Sequence, residues 1–562
     1  MNDYLKKVEE WKNSKNLSLK LKEELNSLSD KELQDAFYTD LAFGTGGLRG
    51  IMGVGTNRMN SVVLQKATLG FARYLLKNEP NAKERGVVIA HDNRNNHDEF
   101  QKAVADVLTS LGIKVYVFPS LRTTPELSFT VRYLKASGGI NITASHNPKE
   151  YNGYKIYNSL GNQLIVEQSN KVMQEIESIG NAVDLVFEGN DSLLVTLDES
   201  VDRAYYDMVE STSLNKDMKK DNILIVYTPQ HGTGYVPVTT VLKEEGYKVI
   251  EVKEQCFPNG DFINTKCPNP EDKSAYELAI KYALANNADL VISNDPDCDR
   301  IGIVLFDKDK NPVYMSGNQT GAVLIEYLLS LRKKQGILGN NGVIYNTIVS
   351  SPLGAKVASL YNVRCEQTLT GFKYIGDKIA KASKDSEFEI GYEESYGYLI
   401  NKEVRDKDGV QSAMMIAEMA SYYKHLGKTI LDVYQEIEEK LGYYAESQIS
   451  YYAKGEDGAI RINNLMNKLR NSKLENIAGE KVKIHEDYLT LTKECNGVSS
   501  PLVGFEKSNV LRYILDDGSF VAVRPSGTEP KVKFYFSLMG KTNDLALKRH
   551  DKVKEFFLSL VD

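Results

Sequence analysis

The chain has 562 residues, of which 42% are hydrophobic and 26% charged, values typical of a soluble globular protein with several domains. Its net charge of −7 argues against general binding to nucleic acid or to an anionic membrane, although a local basic pocket for a small anionic substrate stays open. The five cysteines include no Cys-x-x-Cys pair, which argues against a disulfide framework or structural zinc and favours reduced thiols.

The amino-terminal stretch is charged throughout and lacks the apolar core of a secretion signal: MNDYLKKVEEWKNSKNLSLKLKEEL. No apolar run elsewhere approaches the ~18 residues that a membrane-spanning helix requires. The sequence therefore predicts a cytoplasmic protein without a membrane anchor.

One order of elements occurs three times along the chain, starting near residues 87, 223 and 343. Each copy predicts an apolar strand, a polar loop, an amphipathic helix and a second strand. The copies begin with RGVVIAHDNRNN, NILIVYTPQHGTG and NGVIYNTIVSS. They lie too far apart for a solenoid, and they predict three similar α/β domains in series with mixed, mainly parallel sheets. Ligands are then expected at the carboxyl ends of the strands.

The last part of the chain has a different pattern from about Ser447 onward. Short strands are predicted around VLRYILDDGSFVAVRPSGTEPKVKFYFSL, followed by a final helix. This order predicts a smaller α+β domain at the carboxyl terminus. We place the four domains at residues 1–205, 206–320, 321–445 and 446–562.

A predicted strand of the first domain ends in a turn with adjacent serine and histidine, within GINITASHNPKEYNGYKIY. One interpretation of Ser145 is a simple turn residue. A serine hydrolase is disfavoured, because the segment lacks a Gly-x-Ser-x-Gly elbow. The third interpretation is a serine that carries a phosphoryl group, with His146 and Lys155 close enough in sequence to serve in proton transfer.

Three aspartates alternate along a loop of the second domain, in ADLVISNDPDCDRIGIV. Asp295, Asp297 and Asp299 would repel one another unless a hard cation lay between them. The loop is not an EF-hand, since Arg300 stands where that motif requires glycine and Phe306 where it requires glutamate. Mg²⁺ shared with a phosphate oxygen is one interpretation, and a solvated acidic loop is the other.

Two later loops have the composition of a sugar-phosphate site. The segment GYEESYGY at 391–398 places Glu393 and Ser395 between aromatic residues, which suits sugar hydroxyls or a plain surface loop. The segment RPSGTEPKVKFY at 524–535 combines a guanidinium, hydroxyls and a flexible glycine, which suits a phosphate or a simple hairpin turn. Its candidate ligands are Arg524, Ser526, Gly527 and Thr528.

Two segments contain fragments of nucleotide-binding motifs, but neither segment matches the complete motif. The tripeptide Gly427-Lys428-Thr429 ends no Walker A loop, because Tyr422 occupies the earlier glycine position. The segment FGTGGLRG has Arg49 at the third glycine of a dinucleotide fingerprint.

Taken in order, the segments SHNP, DPDCDR, GYEES and RPSGTEP resemble the motifs of the α-D-phosphohexomutase superfamily. Within it, the chain is most similar to the bacterial branch of phosphoglucomutases and phosphopentomutases. The likeness spans nearly the whole chain, with one motif in each predicted domain, and FGTGGLRG fits as well. It implies four domains around a central cleft.

The resemblance also implies roles for the candidate residues. Ser145 would carry the phosphoryl group and bind one Mg²⁺ ion per chain together with Asp295, Asp297 and Asp299. Lys155 would be the general acid or base, with His146 nearby and with Arg49 and Arg300 lining the reacting centre. Sugar and phosphate contacts would come from Glu393, Ser395, Lys373, Arg524, Ser526, Gly527 and Thr528. Whether Lys155 or His146 is the main proton-transfer group stays open.

The implied reaction interconverts glucose 1-phosphate and glucose 6-phosphate, with glucose 1,6-bisphosphate as intermediate and activator. Mannose or pentose phosphates are alternative substrates on the same scaffold, although GYEESYGY lacks the Gly-Glu-Met-Ser-Gly-His form of the phosphomannomutase branch. A metal-dependent sugar phosphatase and a non-catalytic sugar-phosphate sensor are further alternatives. The only predicted partner is a phosphosugar. The sequence leaves the oligomeric state open and is compatible with a monomer.

Overall fold

The computed structural model describes residues 3–43, 47–453, 457–472, 474–526 and 531–561. The chain divides into two compact units. The first consists of Met1–Gly317, Phe372–Lys384 and Ile390–Gly427, and the second of Asn318–Gly371, Asp385–Glu389 and Lys428–Asp562. Four domains follow one another along the chain, each built on a β-sheet.

The first domain contains a six-stranded mixed sheet with the order β1-β5-β4-β2-β3-β6. Strands β2, β3, β4 and β6 run parallel, and β5 is antiparallel to both β4 and β1. The elements up to the end of this domain are α1 (Asp3–Asn13), α2 (Leu19–Ser27), α3 (Asp30–Phe37), β1 (Gly47–Ile51), α4 (Ser61–Asn78), α5 (Ala82–Arg85), β2 (Val87–His91), α6 (His97–Ser110), β3 (Val115–Val117), α7 (Thr124–Tyr133), β4 (Gly138–Ile142), β5 (Tyr151–Asn158), α8 (Val166–Glu177), a short 3₁₀ helix (Asp191–Leu193), β6 (Leu194–Thr196) and α9 (Glu199–Glu210).

The apolar run of β2 shows why this sheet is covered on both faces. Val87 and Ile89 point into a core that includes residues of α4 and α6, whereas Val88 and Ala90 point into a core that includes residues of α7. Because successive side chains of a strand point to opposite faces, a continuous run of apolar residues fits only a strand with helices on both sides. The polar ends of these strands are then free to form loops at the sheet edge.

The second domain repeats this arrangement with a five-stranded sheet of order β11-β10-β9-β7-β8. Strand β7 is parallel to β8 and β9, and β10 is antiparallel to β9 and β11. Its elements are β7 (Leu224–Thr228), α10 (Tyr235–Glu244), β8 (Lys248–Glu251), two 3₁₀ helices (Lys253–Gln255 and Lys273–Tyr276), α11 (Glu277–Asn286), β9 (Leu290–Asn294), β10 (Ile301–Phe306) and β11 (Pro312–Met315).

In the third stretch, β12 pairs in parallel with β13, and β14 forms an antiparallel hairpin with β15 between Gly391 and Leu399. The elements are α12 (Gly317–Lys334), β12 (Gly342–Thr347), α13 (Pro352–Ser359), β13 (Arg364–Thr368), α14 (Phe372–Lys381), β14 (Glu387–Glu393), β15 (Gly397–Leu399), α15 (Gly409–His425) and α16 (Ile430–Leu441).

The carboxyl-terminal domain is an antiparallel sheet with the main order β16-β23-β22-β21-β18-β19-β20, and β17 pairs with β18. Apolar residues of its two helices pack on Phe534 and Phe536 of the sheet. The elements are β16 (Tyr443–Tyr452), α17 (Gly458–Asn471), β17 (Asn476–Ile477), β18 (Glu480–Asp487), β19 (Thr492–Cys495), β20 (Val498–Pro501), β21 (Leu511–Leu515), β22 (Phe520–Pro525), β23 (Lys531–Gly540) and α18 (Asn543–Leu558).

The structure confirms the predicted strand–helix–strand repeats at β2-α6-β3, β7-α10-β8 and β12-α13-β13, and the final helix α18. The boundaries at 205, 320 and 445 and the central cleft stay predictions. Within the described ranges, no helix combines the length and the apolar character needed to cross a lipid bilayer. All five cysteines are free.

Candidate active site

Ser145 lies just beyond the carboxyl end of β4, in the sharp turn that the sequence predicts. Its backbone has a φ of +52°, a left-handed conformation that is costly for a residue with a side chain. The side chain is buried, and its Oγ donates a hydrogen bond of 2.6 Å to Oδ2 of Asp295. The turn therefore delivers the serine hydroxyl directly to the aspartate loop of the second domain.

A buried arginine, Arg94, holds this strained turn in place. Its guanidinium donates hydrogen bonds to the carbonyl oxygens of Ser145 and Asn147, both at 2.6 Å, and of Pro148 and Tyr151 at 2.8 and 2.9 Å. Four carbonyls bound to one rigid, fully buried cation fix the path of the turn. The sequence analysis did not identify Arg94.

Asp92 and Thr143 connect Arg94 to the backbone of the serine. Oδ1 of Asp92 accepts a bond from the Arg94 backbone N–H at 2.9 Å, and Oδ2 accepts one from the Thr143 hydroxyl at 2.6 Å. The Thr143 oxygen in turn accepts a bond from the Ser145 N–H at 2.8 Å. Burial raises the pKa of Asp92 despite the Arg94 charge. Because β2 and β4 are parallel neighbours, the residues after each strand meet at one edge of the sheet.

Asp295, Asp297 and Asp299 lie in the loop between β9 and β10, and all three are buried. Each offers a carboxylate oxygen within 4.8 Å of those of the other two. The Oδ1 atoms of Asp297 and Asp299 are buried and have no hydrogen-bond partner in the described part of the chain. Buried carboxylate oxygens without partners, close together and beside a hydroxyl, have the chemistry of a site for a small divalent cation.

The surroundings of Asp295 and Asp297 shift the pKa values of these two carboxylates in opposite directions. Burial and the charges of Asp297 and Asp299 raise the pKa of Asp295 well above its ordinary value. Burial would also raise the pKa of Asp297, but the neighbouring Lys155 charge and hydrogen bonds outweigh it and lower that pKa. One of these bonds comes from the Thr124 hydroxyl at 2.8 Å. A bound cation would offset the negative charges of Asp297 and Asp299 that act on Asp295.

Two lysines from other parts of the chain place positive charge beside the aspartate loop. Lys155 Nζ lies 2.7 Å from Oδ2 of Asp297 and 3.4 Å from Oδ2 of Asp299, and Lys407 Nζ lies 3.1 Å from the latter atom. Burial would lower the pKa of each lysine, but the aspartates outweigh it and raise both values. Both lysines are therefore protonated at neutral pH. The sequence analysis identified Lys155 and missed Lys407, which comes from a distant loop.

His146 and Arg49 both border the serine turn. Nδ1 of His146 lies 3.2 Å from the Ser145 Oγ, and burial together with the Arg300 and Arg49 charges lowers the pKa of His146 well below 6.5. The imidazole is therefore neutral at pH 7. Arg49, on β1, donates a bond of 2.9 Å to Oδ1 of Asn147.

The predicted sugar loop is attached next to the aspartate loop. The Tyr396 carbonyl accepts a bond of 2.9 Å from the N–H of Ile301, the residue after Arg300. Glu393 at the end of β14 is buried. Burial lowers the pKa of Lys407, but the charges of Asp299, Asp406 and Glu393 raise it by more. Arg300 itself pairs with Glu271. The hairpin thus brings Glu393 and Ser395 to this side of the site.

Lys373, another predicted sugar contact, is buried in α14. Its Nζ lies 5.0 Å from the centroid of the Tyr374 ring, and the preceding Phe372 ring lies 5.7 Å from Nζ of Lys407. The first turn of α14 therefore borders the lysine that faces Asp299.

The predicted phosphate loop follows β22 in the carboxyl-terminal domain. Arg524 pairs with Lys533 across the β22–β23 ladder, and the Ser526 N–H donates a bond of 2.7 Å to the Lys531 carbonyl. Gly527 and Thr528 lie outside the described residues, as do Gly44, Thr45 and Gly46 of FGTGGLRG. A phosphate-binding role for this loop stays a prediction.

Comparison with known proteins covers all four domains. Residues 40–183, 203–308 and 316–441 match the models for phosphoglucomutase/phosphomannomutase alpha/beta/alpha domains I, II and III. Residues 469–537 match the model for the C-terminal domain of the same proteins.

Two relatives and two solved structures illustrate the similarity. The chain is 40% identical to phosphoglucomutase of Staphylococcus haemolyticus, over 90% of this chain and 91% of that protein. It is 38% identical to phosphoglucomutase of Staphylococcus aureus USA300, over 91% and 92%. Its fold is similar to that of a phosphoglucomutase/phosphomannomutase family protein from Burkholderia thailandensis, with a TM-score of 0.68 at 18% identity over 92% and 97%. For the open form of parafusin, a phosphoglucomutase from Paramecium, the TM-score is 0.66 at 19% identity over 93% and 95%.

Four such domains in series define the class of α-D-phosphohexomutases, a group of isomerases that are called mutases. Within this class, the chain belongs to the phosphoglucomutase/phosphomannomutase family.

Proposed function

We propose that this chain is a phosphoglucomutase that interconverts glucose 1-phosphate and glucose 6-phosphate through a phosphoserine at Ser145. The observation that carries the proposal is the 2.6 Å bond between the Ser145 hydroxyl and Asp295, inside a buried cluster of three aspartates and two lysines. The similarity to phosphoglucomutases at 40% identity over 90% of the chain supports glucose phosphates as substrates.

Asp295, Asp297 and Asp299 would hold one Mg²⁺ ion together with an oxygen of the phosphorylated Ser145. Two observations support this assignment: the Oδ1 atoms of Asp297 and Asp299 accept no hydrogen bond from any described residue, and each of the three carboxylates has an oxygen within 4.8 Å of those of the other two. When bound, the ion would supply positive charge to stabilise the negative charge of the group in transfer.

His146 and Lys155 are the two candidate groups for proton transfer. During transfer, the bond between Ser145 Oγ and phosphorus breaks while a sugar hydroxyl oxygen bonds to phosphorus. Oγ must then gain a proton and the sugar hydroxyl must lose one. The neutral His146 lies 3.2 Å from Oγ, while the raised pKa of Lys155 keeps a proton on Nζ beside Asp297. In this proposal, protonated Lys155 gives a proton to Oγ, neutral His146 accepts the proton that the sugar hydroxyl loses, and Arg49 and Arg300 offset the negative charge.

The product of the first transfer is glucose 1,6-bisphosphate, which would turn round and return its other phosphate to Ser145. In this proposal, Glu393, Ser395 and Lys373 bind the sugar. Arg524, Ser526, Gly527 and Thr528 bind whichever phosphate is not reacting. The bisphosphate is therefore both intermediate and activator, because it also phosphorylates an enzyme that has lost its phosphate.

Replacement of the serine tests the proposal. Ser145→Ala should abolish turnover of glucose 1-phosphate even when glucose 1,6-bisphosphate is supplied. Ser137→Ala is the matched control, because Ser137 is equally buried and precedes β4 at its other end. Turnover by Ser145→Ala at the rate of the control would disprove the phosphoserine role.

A panel of coupled assays then identifies the sugar. Glucose, mannose and pentose 1-phosphates should be compared by kcat/KM, with released inorganic phosphate measured in parallel. A preference for mannose or pentose phosphates would reassign the substrate, and phosphate release without isomerisation would indicate a phosphatase.

A further inference from the structure

A basic surface cavity of about 450 Å³ lies in the first unit, away from the serine turn. Its lining includes Arg85, Arg132, Lys135 and Arg405, together with the apolar Leu160. No aspartate or glutamate lines it. The cavity is large enough for a small organic anion.

The register of the first sheet separates this cavity from the candidate active site. Gly138 pairs with Asn158 at one end of β4, and Lys135 and Leu160 flank that end. Asn141 pairs with Lys155 toward the other end, beyond which Ser145 lies. At about 3.3 Å per residue, the five residues of β4 put roughly 15 Å between the two ends. The cavity is therefore not part of the reacting centre.

The cations of the cavity are only partly compensated. Arg85 pairs with Glu79 at 3.3 Å and Arg132 with Glu403 at 3.1 Å. Lys135 is exposed and has no carboxylate partner among the residues that the structure describes. Two of the four cations therefore lack a counterion, which leaves an excess charge of about +2, equal and opposite to that of a phosphate monoester.

Arg405 is the most deeply buried cation of this cavity. Its side chain is only 9% exposed, and its Nε is buried without a hydrogen-bond partner in the described ranges. Among the described residues, its guanidinium donates one hydrogen bond, of 3.3 Å, to the carbonyl of Val404 and forms no ion pair with a carboxylate. Burial and the nearby Arg132 charge outweigh the opposing charge of Glu403 and lower the pKa of Arg405 to about 9, so it is still charged at pH 7. A buried cation without a counterion is costly to maintain unless an anion binds there.

We infer that this cavity binds the phosphate group of a small phosphate ester at a site separate from the catalytic centre. Arg405 and Lys135 supply the uncompensated charge, and Arg132 and Arg85 add donors in planar guanidinium geometry. The exposed Leu160 provides an apolar wall for the organic part of the ester. A sugar phosphate and a nucleoside monophosphate share this chemistry. The inference does not depend on the proposed mutase reaction.

Calorimetric titration with inorganic phosphate tests the site. Wild-type protein should show one more binding event than Lys135→Asn and Arg405→Gln, or the same event weakened at least about tenfold in both. Lys135 has a φ of +54°, and asparagine tolerates that left-handed backbone, so this exposed variant should fold normally. Lys102→Gln, which removes an exposed lysine of α6, is the matched control and should titrate like the wild type.

Two further arms locate the site and identify the ligand. A tungstate soak should give an anomalous peak between Arg405 and Lys135. Titration with a hexose phosphate and with adenosine 5′-monophosphate should show a wild-type-minus-Lys135→Asn difference for one of them, which identifies the source of the phosphate. Identical isotherms for wild type and both variants, or no tungstate peak, would overturn the inference. A phosphate difference without a difference for either ester would reduce the site to one for an adventitious ion and would also overturn it.

Discussion

The aspartate loop and the basic cavity handle buried charge in opposite ways. In the loop, the negative charges of Asp297 and Asp299 are met by Lys155 and Lys407 at 2.7 to 3.4 Å. In the cavity, Arg405 is also buried but forms no ion pair with a described carboxylate, because the nearby Glu403 pairs with Arg132.

The partners of a buried charged side chain therefore indicate how much stability its removal should cost. Where partners surround it, removing the charge leaves those partners uncompensated, and the loss should be large. Where it has none, the protein gains little or nothing from it until a ligand binds.

If the proposed metal site is right, Asp297→Asn should lower kcat by at least about a hundredfold and remove the dependence on Mg²⁺, because it removes one proposed metal ligand and the charged partner of Lys155. Steady-state kinetics over a Mg²⁺ series measures both effects. Asp309→Asn, in the exposed loop between β10 and β11, is the control for the same chemical change. Unchanged kinetics in Asp297→Asn would remove the metal assignment.

Arg94→Met should lower the free energy of unfolding by about 3–5 kcal/mol, since it leaves Asp92 buried without a cation and four carbonyls without their donor. Urea unfolding followed by fluorescence of Trp11 measures the change, because Trp11 is the single tryptophan and is buried in the first unit. A loss below about 1 kcal/mol would mean that Arg94 does not stabilise the serine turn.

His91 should make stability depend on pH. Burial lowers the pKa of His91 to about 4, below its ordinary 6.5, so the unfolded chain binds the extra proton more readily between these values. The stability contributed by the neutral ring is therefore complete above pH 6.5 and is lost as the pH falls toward 4, by about 2 kcal/mol at pH 5. His91→Asn should flatten the pH profile of urea midpoints, whereas the exposed His425→Asn should not. Parallel profiles for wild type and His91→Asn would contradict this assignment.

Arg405→Met should change the free energy of unfolding by no more than about 1 kcal/mol, and in the stabilising direction, when no anion is present. It is the same substitution as in Arg94→Met, at another buried arginine that forms no ion pair with a described carboxylate. Added inorganic phosphate should stabilise the wild type more than this variant. A loss as large as that of Arg94→Met would contradict the contrast between the two regions.

The repeated domains and the loops that carry the candidate site residues could be predicted from the sequence, because both depend on local patterns. The run around Val87 predicts a strand buried on both faces. Ser145 and the alternating aspartates each stand where a predicted strand ends, and ends of parallel strands collect at one edge of a sheet.

Arg94, Lys407 and Arg405 could not be identified in the same way, because each acquires its importance only from tertiary contacts. The partners of Arg94 are carbonyls, which every residue carries. Lys407 contacts Asp299 from a loop more than a hundred residues further along the chain. The position of Arg405 beside the cavity residues Lys135 and Leu160 likewise depends on the fold, since the register of β4 and β5 places these two residues at the same end of the sheet. The three amino-terminal helices contain no motif and were also not predicted.

The most direct test of the account is the mass of freshly purified protein, followed by peptide mapping. We expect a fraction of the chains to carry one phosphate, about 80 Da, on the peptide that contains Ser145, and to lose it when the enzyme is incubated with glucose 6-phosphate. Phosphate that resides on another peptide, or a Ser145 peptide that stays unmodified after incubation with glucose 1,6-bisphosphate, would contradict the account.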